Sequence, residues 1–183
     1  GRYAEIPREM LASHDWVTPK LNGVNYFEKP PLMYWAEAAS FSALGNNEMA
    51  ARLVPALFAL IGVILTYSAA RKLYGEEAGL GSAIVLGSSL LYAAHARIVI
   101  IDMAVSILMS WALFSFILGV REEVGAKRRY YFMQLYAAAA LATLAKGLIG
   151  VLLTGAVMFS WLLIFNQWKR LKPLYLPSGL ALF

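Results

Sequence analysis

The 183 residues are 60% hydrophobic and only 15% charged, with a mean hydropathy of +0.61, more apolar surface than one globular core takes in and a natural fit to a lipid phase. A net charge of +5 is compatible with nucleic acid, anionic lipid or membrane topology, so its placement must decide among them. The absence of cysteine excludes disulfides, thiolate catalysis and Cys-based metal sites.

Residues 1–50 are mixed in character and amphipathic rather than spanning. Helical periodicity covers Tyr3 to Ala12, an extended stretch runs from Trp16 to Lys29, and a second helical pattern covers Pro31 to Leu44. Asn22-Gly23 is a turn signal between short apolar segments. Pro30-Pro31 pushes Lys29 toward extended geometry and sets Pro31 near the start of the next helix. Lys29 therefore sits at a stiff junction.

Five runs with almost no charge follow: Leu53 to Ala70, Ala78 to Ala94, Ile98 to Val120 (interrupted by Asp102), Tyr130 to Ala145 and Leu148 to Phe165. Each approaches the roughly 20 residues a helix needs to cross a bilayer. Leu174 to Phe183 reads as the start of a sixth span, weakened by Pro177 and Gly179. Residues 51–183 are thus expected to hold about five complete spans plus the start of another, in an all-α transmembrane bundle. The chain starts at Gly1 and stops inside an apolar run, which reads as a piece of a longer protein; its N-terminus shows no signal-peptide pattern.

The joints between runs set the topology. Arg71 and Lys72, then Arg121, Lys127, Arg128 and Arg129, then Lys169, Arg170 and Lys172 occupy alternate joints and make nine of the 16 basic residues. The intervening joints carry only Arg97 and Lys146. Cytoplasmic retention of basic loops puts the nine inside and residues 1–50, Arg97, Asp102 and Lys146 together outside. This accounts for the +5 charge without nucleic acid.

On that outer face, Asp102 lies near the end of an apolar run, where an unpaired carboxylate costs a few kcal/mol or more. Arg97 is its candidate partner. Spacing alone leaves a structural ion pair, a helix cap and a functional carboxylate open. Lys146, after the small-residue stretch Ala137 to Ala145, is open between a snorkelling lysine and a functional cation. Arg2, Tyr3, Glu5, Arg8 and Glu9 fit a solvated amphipathic helix about as well as a site. Tyr26, Phe27, Glu28 and Lys29 are more specific, because a stiff loop holding a cation beside a ring and a carboxylate suits a phosphate. Tyr34 and Trp35 read as interfacial aromatics. His14 and His95 read as satisfied interfacial histidines, with no metal assigned. Gly81, Gly87 and Gly150 read as packing positions inside spans.

The blocks RYAEIPREML, DWVTPKLNGVNYFEKPPLMYW, NEMAARLVPAL, RIVIIDMA and LAKG, in this order over nearly the whole chain, resemble the bacterial aminoarabinose transferase family of lipid A modification and its relatives among the protein O-mannosyltransferases. The resemblance implies a multispanning enzyme of GT-C type in the bacterial inner membrane. It would take a sugar from a polyprenyl phosphate carrier on the outer face and pass it to lipid A or a related acceptor. A Ser/Thr-accepting protein mannosyltransferase is the alternative acceptor class, and a transporter is the alternative outside enzymes. It also implies that an acidic pair precedes the GRY residues in the family, so that a principal carboxylate lies upstream of Gly1 and this piece alone is inactive. Position by position, Lys29, Arg2 and Lys146 look like groups holding the carrier phosphate, Tyr26 lines the same pocket, and Asp102 looks like a catalytic carboxylate. Glu28 is given two roles, binding a divalent metal or orienting Lys29.

Overall fold

The computed structural model describes residues 1–171 and 173–181; Lys172 of the last basic joint and the end of the sixth apolar run lie outside the described residues. The architecture is helical. Helices α1 (Arg2–Ser13) and α2 (Leu32–Leu44) flank a loop with two short strands, β1 (Lys20–Leu21) and β2 (Val24–Asn25). Helices α3 (Glu48–Tyr74), α4 (Glu76–Ser88), α5 (Leu90–His95), α6 (Ile101–Arg121), α7 (Ala126–Lys146) and α8 (Ile149–Ile164) follow. A 3-10 turn (Trp168–Leu171) and α9 (Leu176–Leu180) end the described chain.

The segment between α1 and α2 is fixed at several points. Lys20 pairs with Asn25 and Leu21 with Val24, closing a hairpin over Asn22 and Gly23, whose φ values of 54° and 76° suit a two-residue turn with both central residues left-handed. Glu9, on α1, accepts hydrogen bonds from both turn amides, Asn22 N at 2.5 Å and Gly23 N at 3.0 Å. Asp15 Oδ1 accepts from the amides of Val17 and Thr18, and Trp35 Nε1 on α2 donates to the Trp16 carbonyl at 2.7 Å. The loop that delivers Tyr26 to Lys29 is therefore clamped to both neighbouring helices. His14 ends α1 in the left-handed conformation, a structural role.

Helix α2 joins α3 through Asn47, whose side-chain oxygen caps α3 by accepting from Ala50 N, while its amide donates to the Leu44 carbonyl. Ser40 on α2 donates to the Ala50 carbonyl at 2.7 Å. Helix α3 carries Glu48 in its first turn and Arg71 and Lys72 in its last, the arrangement its dipole favours. Its 27 residues span about 40 Å.

Helices α6 and α7 form an antiparallel pair along a seam of small residues, with Ala104 and Ala112 on one side and Ala138, Ala142 and Ala145 on the other, all buried. Gly150 continues this close approach on α8: a Cβ there would stand 2.8 Å from Ala142. Gly81 meets nothing within 4 Å and Gly87 only Val63 at 3.8 Å, so neither is a tight packing position. At one end of the α6–α7 pair, Met33, Val54, Ile101, Val105 and Ala145 bring α2, α3, α6 and α7 into one core cluster. At the other end, Lys72 of α3 donates to the Tyr131 hydroxyl of α7 at 3.0 Å.

Among the described residues, α3 and α6 are long and apolar enough to cross a membrane, and α8 is a shorter apolar helix. Helix α7 has the length but opens on Lys127, Arg128 and Arg129. The run expected as one span over Ala78 to Ala94 is interrupted at Ser89, which adopts extended backbone (φ −63°, ψ 122°) between α4 and α5. Ser88 Oγ donates to the Val85 carbonyl just before the break, the local bonding by which serine competes with a helix ladder.

Candidate functional site

Three of the residues singled out from the sequence meet directly. Glu28 and Lys29 from the clamped loop and Lys146 from the end of α7 line one cleft of about 430 Å3, walled by Phe27, Pro30 and Pro31. Lys146 is placed by the C-terminus of α7, where Gly147, at φ 80°, turns the chain toward α8. Lys29 is half-buried and makes no ion pair or hydrogen bond among the described residues, leaving its ammonium available to a ligand.

Lys146 forms an ion pair with Asp102, in the first turn of α6 and 44 residues away in sequence. Arg97, the partner expected from proximity, is exposed and makes no ion pair among the described residues. Nor is Asp102 a cap: α6 begins one residue earlier, and no side chain caps it. The antiparallel pairing of α6 and α7 decides the partner, because it sets the start of one beside the end of the other.

Arg2 stands outside the cleft but is linked to it. Its guanidinium lies over the Tyr3 ring, 5.2 Å from the centroid, and hydrogen bonding to Tyr3, then the neighbouring Tyr26 and Glu28, hold its pKa above the ordinary value. Tyr26 donates its hydroxyl to Glu28 Oε2 at 2.7 Å, which keeps the phenol neutral by raising its pKa. Arg2, Tyr26, Glu28, Lys29, Lys146 and Asp102 thus form a continuous series at one end of the bundle. No group of three or more His, Asp or Glu gathers around Glu28 among the described residues, and one Glu28 oxygen is engaged by Tyr26. The donor set does not fit a metal centre built from this chain, and the contact that Glu28 makes is with Tyr26 rather than with Lys29.

Sequence reasoning missed Glu37. It is 1% exposed on the inner face of α2, with Oε2 buried and without a hydrogen-bond partner among the described residues, and the hydroxyl of Tyr34, fully buried one turn earlier, is in the same state. Tyr34 is therefore a core residue rather than an interfacial aromatic. The signal was present: Met33, Tyr34, Glu37, Ala38 and Phe41 repeat at helical spacing, which places Glu37 on the buried face. Burial pushes its carboxyl from 4.5 up to about 8. Because the folded form holds the proton more tightly than the unfolded chain, the contribution of Glu37 to stability is most favourable below pH 4.5 and is lost as pH rises toward 8. The slope approaches about 1.4 kcal/mol per pH unit between the two values. Glu37→Gln is expected to abolish this slope and to melt higher than the parent at pH 8, with the curves meeting near pH 4.5; melting curves that stay parallel would remove Glu37 as its source.

The family model described as dolichyl-phosphate-mannose-protein mannosyltransferase matches residues 28–183. An undecaprenyl phosphate-alpha-4-amino-4-deoxy-L-arabinose arabinosyl transferase from Proteus mirabilis is 32% identical over 182 residues, covering 99% of this chain and 33% of that protein. A similarly named transferase from Sodalis glossinidius is 29% identical over 170 residues, covering 92% of this chain and 31% of the relative. The crystal structure of ArnT from Cupriavidus metallidurans in the apo state superposes with a TM-score of 0.94 at 34% identity, and that bound to undecaprenyl phosphate with 0.91, each covering 99% of this chain and 34% of theirs. The chain spans about a third of the length of the relatives it matches. It belongs to the dolichyl-phosphate-mannose-protein mannosyltransferase family and has a multi-pass helical membrane fold of GT-C type.

Proposed function

We propose that the protein to which this chain belongs is a membrane glycosyltransferase that moves an amino sugar from an undecaprenyl phosphate carrier to lipid A on the periplasmic face of the inner membrane. The observation that carries the reading is the cleft at one end of the helical bundle, with Lys29 unpaired among the described residues and Lys146 paired with Asp102. The relative bound to undecaprenyl phosphate supports the donor, and the relatives' names support the sugar.

The topology follows from the same end. With α3, the broken α4–α5 unit, α6, α7 and α8 as five crossings, residues 1–50, Asp102 and Lys146 share one face, while the basic joints after α3 and before α7 share the other. The contact between Lys72 and Tyr131 joins those two basic ends, as this arrangement requires.

Chemically, an acceptor oxygen attacks the anomeric carbon, the bond from that carbon to the carrier phosphate oxygen breaks, and the electron pair leaves on the phosphate. Lys29 and Lys146, with Arg2 beside them, stabilise that growing negative charge more in the transition state than before it. Glu28 accepts from Tyr26, which holds its carboxylate in the lining of the same cleft as Lys29. Asp102 balances Lys146 until the phosphate enters the cleft, and is then free to hold an acceptor or a sugar group. A lipid A phosphate needs no general base, whereas a Ser or Thr hydroxyl would.

The test is sugar transfer by the full-length protein in sealed vesicles of known orientation, with lipid A or a Ser/Thr-rich peptide as acceptor. Transfer to lipid A in right-side-out vesicles alone, with inverted anomeric configuration, is expected. Transfer to peptide would move the function to the protein-glycosylating relatives, and equal transfer in inverted vesicles would reject the assigned face.

A further inference from the structure

A second hollow, of about 290 Å3, lies on the far side of the Lys146–Asp102 pair. Asp102 lines it, while its partner Lys146 lines the phosphate cleft, so the pair forms the wall between the two spaces. Residues on both sides of the break at Ser89, Leu86 of α4 and Leu91 of α5, line the hollow. Its rim carries Ser89, His95, Asp102 and Ser106, and its floor is apolar.

These groups are placed as a ligand would need them. His95 Nδ1 lies 2.9 Å from the Leu91 carbonyl, and because a carbonyl only accepts, the proton belongs on Nδ1 and Nε2 remains as an acceptor. The Ser89 and Ser106 hydroxyls make no hydrogen bond among the described residues. The Tyr92 ring is held by its hydroxyl, which donates to the Ala59 carbonyl at 2.6 Å, and offers a fixed flat surface. The volume is at the lower end of small-molecule sites, around 300 Å3, and the few polar groups over an apolar floor are typical of such sites.

The scissile bond of the proposed donor joins phosphate to sugar, so a phosphate held by Lys29 and Lys146 must place the ring beside it. We propose that this hollow receives the sugar ring of the donor, with His95 Nε2 and Asp102 accepting hydrogen bonds from its amino and hydroxyl groups. The inference rests on the glycosyltransferase reading and deepens it: an acceptor-rich rim selects a sugar bearing an ammonium group.

The experiment measures binding of two ligands to the full-length protein in nanodiscs, bare undecaprenyl phosphate and undecaprenyl phosphate carrying 4-amino-4-deoxy-arabinose. His95→Ala is expected to leave the affinity for the bare carrier unchanged and to weaken binding of the sugar-bearing donor about tenfold, the worth of one hydrogen bond near 1.4 kcal/mol. His95→Gln, which returns an acceptor close to Nε2, should recover most of that loss. Ser106→Leu, which fills the hollow, should weaken only the sugar-bearing donor. The inference is overturned if His95→Ala leaves both affinities unchanged. If His95→Ala lowers both together through misfolding, Ser106→Leu decides: selective loss of the sugar-bearing donor sustains the proposal, and equal effects on the two ligands reject it. Failure of the parent protein to bind the bare carrier would instead reject the phosphate cleft and the function built on it.

Discussion

Lys29→Ala in the full-length protein is expected to lower kcat/KM for the polyprenyl phosphate donor by about 100- to 1,000-fold, the usual consequence of removing one preplaced group from a developing anion. Lys29 should matter more than Arg2 or Lys146 because of what surrounds it. Arg2 is exposed and stacked on Tyr3, and Lys146 is shared with Asp102, whereas Lys29 makes no ion pair among the described residues. Its backbone is held by Pro30-Pro31 on one side. On the other are the Glu9 clamp on the hairpin and the hydrogen bond from Tyr26 N to the Pro19 carbonyl at 2.8 Å. The loop therefore loses little entropy on binding, and the charge arrives pre-oriented. Lys29→Arg should rescue poorly, since a planar fork on a longer stem does not reproduce a compact point charge in a cleft walled by prolines. The measurement is steady-state transfer at matched protein levels, with proteolytic resistance as a control for folding. Unchanged kcat/KM in a folded Lys29→Ala protein would remove Lys29 from the phosphate role.

What the sequence made legible follows the range of each interaction. The first two helices and the Asn22-Gly23 turn are written in local signals, periodicity and left-handed turn residues, and α1 and α2 lie within a residue or so of the expected bounds. Of the residues singled out in the motif blocks, Glu28, Lys29 and Lys146 line the cleft, whereas Arg2, Tyr26 and Asp102 do not. The partner of Asp102 was illegible because Arg97 is close in sequence and Lys146 is not, and only the antiparallel packing of α6 and α7 separates the two candidates. The break at Ser89 lay inside an apolar run, where hydropathy records the lipid but not the path of the backbone. His95 read from sequence as an isolated interfacial residue because only the fold brings it to the hollow that Asp102 lines. Glu37 was hidden for a related reason: in LMYWAEAASF one carboxyl among apolar neighbours draws attention only when the helix is turned to find which face it occupies.

Asp102→Asn and Lys146→Ala are each expected to reduce turnover by about 100-fold or more, and the double variant to be little worse than either. Magnitude separates this from a structural role. The Lys146 and Asp102 side chains are 33% and 51% exposed, and ion pairs of that exposure contribute only about 0.2–1 kcal/mol to stability. A turnover loss of 100-fold corresponds to about 2.7 kcal/mol, more than the folded state can lose by dissolving the pair. A merely structural pair would therefore show a small drop in melting temperature with normal specific activity in the surviving protein. The same pair acting in the site would show the reverse, near-normal melting with lost turnover. Non-additivity is the second mark: once Asp102 is neutral, Lys146 has lost the group that holds it at the wall between the cleft and the hollow, so removing it adds little. Additive losses would mean that Asp102 does not position Lys146 and acts on the sugar or acceptor alone.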